Sequence, residues 1–97
     1  MEKIWLKSYP KGVPAEINLD EFTSLVDLFD KTCERFDEKT AFTNFGVKIS
    51  FKQLKSYSEN LSSYFLNELK LNKGDRVAIM MPNVLQYPIT TFGILKS

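Results

Sequence analysis

The run Arg76-Val77-Ala78-Ile79-Met80-Met81 constrains this chain more than any other feature, because every position after the arginine is apolar. A strand with one wet face alternates apolar and polar residues. An unbroken run of this length predicts instead a strand buried on both faces, the usual parallel strand of an α/β sheet. Such a strand needs neighbours on both edges and helices on both faces. The turn Asn72-Lys73-Gly74-Asp75 leads into it, with Gly74 free to adopt positive φ, and Pro82-Asn83 ends it. Asn83 is expected to cap a last helix through Ile89, Phe92 and Leu95, with Pro88 making its first turn irregular. That pattern reaches Lys96-Ser97 without a C-cap, so the expectation is a longer protein whose β–α unit continues past these residues.

The upstream chain divides in two. Residues 1–23 have little periodicity and are broken by Pro10, Gly12 and Pro14, yet Trp5, Leu6, Tyr9, Val13, Ile17, Leu19 and Phe22 are apolar. They read as an extended arm that needs cover, either from its own domain or from a second subunit. Residues 24–97 read as an incomplete α/β portion. Ser24 with Asp27 three residues on opens a helix by capping its first turn. Leu25, Leu28, Phe29, Thr32 and Phe36 then form a buried stripe, Cys33 borders it, and Asp30, Lys31, Glu34 and Arg35 face water. Ala41–Phe45 and Val47–Phe51 flank Gly46 as a hairpin. Ser50 and Gln53 form a second capping signal for a helix from Phe51 to about Leu71, roughly 30 Å long. Its apolar face carries Leu54, Tyr57, Leu61, Phe65 and Leu69, widened by Tyr64 and Leu66, while Lys52, Lys55, Glu59, Asn60 and Glu68 lie outside.

Composition removes several function classes. The chain is 43% hydrophobic and 26% charged, a globular balance, and its length allows one small domain. A net charge of +1 with interleaved signs builds no field for nucleic acid. The start lacks the apolar core of a signal peptide, and the longest apolar run is far below the ~20 residues of a membrane helix. The single cysteine, Cys33, makes no internal disulfide, which favours a reducing compartment.

Catalytic groups are equally sparse. There is no histidine, which excludes Ser-His and Cys-His chemistry and histidine metal sites. The four glycines, Gly12, Gly46, Gly74 and Gly93, are too dispersed for a phosphate-cradling loop. Asp27 with Asp30, and Glu34 with Glu38, are the spaced carboxylates of solvated helix faces. The basic spot Lys48, Lys52 and Lys55 reads as a solvated face, and Cys33 as an inert packing residue.

The run Lys73-Gly74-Asp75-Arg76-Val77-Ala78-Ile79-Met80-Met81-Pro82-Asn83 resembles the adenylate-forming enzymes, whose amino-terminal domains carry this turn, strand and asparagine. Ile49-Ser50-Phe51-Lys52-Gln53-Leu54 is similar to the family's strand leading into a long helix. Trp5–Pro10, Val13–Asn18, Ser24–Asp27 and Leu85–Ile89 narrow the likeness to the bacterial long-chain fatty acid–CoA ligases, and it covers essentially all 97 residues.

The resemblance implies an α/β fold, namely the amino-terminal fragment of the large AMP-binding domain. It implies a parent enzyme that activates long-chain fatty acids with ATP and Mg2+ to acyl-adenylates and transfers them to coenzyme A. In that family the phosphate loop, the tyrosine-glycine-x-threonine-glutamate segment and the catalytic lysine come from parts this chain does not contain. No catalytic, cofactor-binding or metal-ligating residue is therefore carried over. The 97 residues are expected to be structural and inactive alone, binding no cofactor. A homodimer in which the Trp5–Phe22 arm takes part, and a cytoplasmic location open to peripheral contact with the inner face of the cytoplasmic membrane, complete the expectation. Two alternatives stand beside it: another adenylating ligase for medium-chain or aryl acids, which would generally lack the Trp5–Asn18 arm, and a stand-alone dimerisation or binding module.

Overall fold

A computed structural model describes residues 1–97. The elements run α1 (Leu25–Arg35), β1 (Thr40–Asn44), β2 (Val47–Ser50), α2 (Phe51–Asn67) and α3 (Gln86–Lys96), after a short 3-10 turn at Ile4–Ser8. The two strands form one antiparallel hairpin and no further sheet.

Local chemistry explains where the elements begin. Ser24 Oγ accepts the Asp27 N–H at 3.0 Å and starts α1. At α2 the capping box closes on both sides. Ser50 Oγ accepts the Gln53 N–H at 3.1 Å, and Gln53 Oε1 accepts the Ser50 N–H at 3.0 Å. The Phe51 and Lys52 amides then donate to the carbonyls of Lys39 and Asp37, each at 3.0 Å. Four otherwise orphaned amides of the first turn region thus find partners. The hairpin turns on Phe45 and Gly46, with φ of 47° and 78°, the left-handed pair of a two-residue turn.

Phe45 and Phe51, expected at the ends of the two strands, lie instead in the turn and at the start of α2, and two helix boundaries also differ from the sequence expectation. α2 stops at Asn67, one turn short of Leu71, because Lys70 takes φ of 52° and the Leu69 and Leu71 amides fold back onto the carbonyls of Tyr64 and Phe65. α3 starts at Gln86 with no side-chain cap, so Asn83 does not cap it. Pro88 consequently falls in the first turn, where the missing N–H costs nothing.

The core is small. Phe29, Cys33, Ile49 and Leu54 are buried, with Ala41, Phe51, Leu85, Ile89 and Phe92 packed around them. Cys33 therefore lies in the core itself, while Leu25 and Leu28 of the predicted stripe stay exposed. The Phe29 and Phe92 rings stack with centroids 4.0 Å apart, joining α1 to α3. α2 and α3 meet through small residues. Gly93 is buried, and a Cβ there would sit 3.0 Å from Leu61 Cδ2. Ser58 and Ser62 are buried on α2, and Ser58 Oγ donates to the Ile89 carbonyl at 3.3 Å. Tyr57 and Leu69, assigned to the apolar face from periodicity, are exposed.

The Val77–Met81 segment belongs to no strand or helix. No backbone hydrogen bond involves residues 76–81, and Met80 is 98% exposed. The expected double burial is not realised within these residues, since β1 and β2 pair with each other and no other strand is available. The radius of gyration is 16.8 Å, against about 13 Å for a compact chain of this size, so much apolar surface remains uncovered. The arm is not fully extended, because the Ile4–Ser8 turn interrupts it, and Trp5, Tyr9, Val13, Ile17 and Leu19 are exposed along it.

Candidate functional site

The charged residues singled out in the sequence are mostly paired with one another. Asp27 accepts the Thr23 N–H and the Lys31 ammonium, both at 3.0 Å, and the Thr23 bond, followed by Lys31, holds its carboxyl below the usual range. Lys55 approaches Glu34 at 3.5 Å and Lys52 approaches Glu38 at 3.9 Å. Two lysines of the basic spot thus have solvent-exposed carboxylate neighbours on α1 and in the turn after it, while Lys48, the third, has no ion-pair partner.

Asp30 is only partly exposed and is engaged by a lysine of another helix. Lys96 Nζ lies 2.6 Å from Asp30 Oδ1 and 3.2 Å from Glu59 Oε1, joining all three helices, with the ammonium 5.6 Å from the Phe29 ring centroid. Burial works to lower the Lys96 pKa, but the hydrogen bonds to Asp30 and Glu59 outweigh it and the net shift is upward. Burial pushes the Cys33 thiol up, away from the thiolate a nucleophile needs. Each of these groups is accounted for by packing or pairing.

The largest concavity lies between the hairpin and the start of α3. It encloses about 450 Å3 and is lined chiefly by Phe42, Val84, Leu85, Tyr87, Pro88 and Phe92. Asn44 Nδ2 donates to the Asn83 carbonyl at 2.8 Å and ties the hairpin to the loop before α3. This is where Asn83 acts, through its backbone. A second apolar cleft, of about 290 Å3 between α1 and the hairpin, shares Phe42 and Phe92 with the first. The two form a continuous apolar face.

That face does not fit a nucleotide or a magnesium ion. Its polar side chains are Thr32, Thr43, Asn44, Asn83 and Thr91, all uncharged, and Thr91 Oγ1 donates to the Tyr87 carbonyl at 2.9 Å. A triphosphate needs cations or converging amides, and Mg2+ needs carboxylate oxygens. No group of three or more Cys, Asp or Glu side chains converges anywhere in the chain. No helix is long and apolar enough to cross a membrane.

Sequence reasoning missed the Lys96 pairing, since its partners lie 66 and 37 residues away and no local pattern marks them. Ser58, Ser62 and Gly93 did carry a signal: small residues at helical spacing, which mark a close approach of two helices.

Comparison with known proteins places these features in context. The chain is 47% identical over all 97 residues to the long-chain-fatty-acid–CoA ligase of Yersinia pestis. It is 44% identical over the same span to the ligase of that name from Haemophilus influenzae. With the Bacillus subtilis ligase of the same name it shares 37% identity over 94 residues. The match covers 100% of this chain but 17% of the first two relatives, and 97% against 16% for the third. No solved structure gives a significant match. Residues 29–97, most of the chain, match the family described as AMP-binding enzyme, and the chain belongs to that family.

Proposed function

We propose that this chain is the amino-terminal portion of a long-chain fatty acid–CoA ligase, and that its own part in that enzyme is structural. One observation carries the reading. The family match begins at residue 29, yet the similarity to the long-chain ligases runs through residues 1–28 as well. The arm is thus shared with enzymes named for long-chain substrates and lies outside the segment common to the wider family.

In this reading the parent enzyme joins a long-chain fatty acid to coenzyme A at the expense of ATP, with Mg2+ as the metal. Residues 24–97 form the first part of the AMP-binding domain and residues 1–23 its arm. The catalytic, nucleotide and metal ligands come from chain outside these 97 residues. The uncovered apolar face supports this, because its side chains suit packing by further chain rather than polar chemistry. Val77–Met81 gains strand neighbours there and completes a mostly parallel sheet. The exposed apolar arm takes part in a homodimer. The enzyme works in the cytoplasm and meets the inner face of the cytoplasmic membrane peripherally, where long-chain acids partition.

The test is expression of the reading frame that continues past Ser97, assayed for ATP- and CoA-dependent thioester formation. Palmitate is expected to be consumed far faster than benzoate or hexanoate. Preference for the aryl or shorter acid would overturn the reading.

A further inference from the structure

We draw no further inference here: the strongest candidate, the apolar cleft between the hairpin and α3, is an unpartnered apolar face, and nothing in the structure shows what covers it.

Discussion

Lys96 near the end of α3 donates to Asp30 in the middle of α1 across 2.6 Å, and the lysine side chain is only 12% exposed. A second contact to Glu59 at 3.2 Å brings α2 into the same cluster. The apolar core is only four buried residues, and this polar clamp adds a contact between the helices beside it. Replacing Lys96 by Met keeps the stem and removes the charge. Both carboxylates can then reach water, so the full cost of a buried charge does not apply. A loss of about 1–2 kcal/mol is expected. Urea denaturation followed by circular dichroism measures it. Asp30→Asn should cost more than Glu59→Gln, because the Asp30 contact is shorter and less exposed.

The same clamp sets an alkaline limit. Because Asp30 and Glu59 hold the folded-state pKa of Lys96 above its ordinary 10.5, the stabilisation is fully present below that value. It is lost as pH rises through the higher folded value. Asp27 sets an acid limit by the opposite sign. Its folded pKa lies below 3.8, so its contribution holds above 3.8 and fades as pH falls further. Thermal unfolding across pH should therefore show an alkaline decline that Lys96→Met removes. An acid decline should be blunted in Asp27→Asn.

Gly93 and Leu61 predict a sign reversal. Alanine at position 93 gains about 1 kcal/mol of helix propensity. Its Cβ, however, would meet Leu61 Cδ2 at 3.0 Å and Leu61 Cβ at 3.2 Å, and overpacking costs about 1–3 kcal/mol. Gly93→Ala alone should destabilise by up to about 2 kcal/mol. In a Leu61→Gly background the whole obstruction, the Leu61 Cβ at 3.2 Å included, is gone, and the same substitution at position 93 should stabilise relative to that background. A double-mutant cycle by chemical denaturation reads the coupling directly.

Sequence and structure agree where the determinants are local. Ser24 with Asp27 and Ser50 with Gln53 cap α1 and α2 as their spacing predicts. Gly46 sits in the hairpin turn as placed. Disagreement begins where the determinant is a distant partner. Hydropathy put Tyr57 and Leu69 inside because they are large and apolar, whereas the α2–α3 crossing selects Ser58, Ser62 and Gly93 for their small size. Asp30 and Glu59 look like solvated charges until α3 brings Lys96 between them. Val77–Met81 has the composition of a buried strand but forms none, because β1 and β2 pair with each other and no further strand is present among these residues. The candidate site was least legible, since the apolar face is assembled from α1, β1, α2, α3 and the loop before α3, which are spread along the sequence.

Phe45 offers a stabilising substitution. It holds φ of 47°, a conformation costing an L-residue about 1–2 kcal/mol, with its ring 97% exposed. Phe45→Asn would create the favoured Asn-Gly turn with Gly46 and give up almost no burial. A gain of roughly 1 kcal/mol is expected, seen as a higher midpoint of urea unfolding at unchanged slope.

The most direct test of the central claim, a scaffold portion without chemistry of its own, is to incubate the purified 97-residue chain with ATP, Mg2+, coenzyme A and labelled palmitate. Thioester formation is then measured over time. The account predicts no palmitoyl-CoA above the protein-free control. Turnover that scales with chain concentration would contradict it.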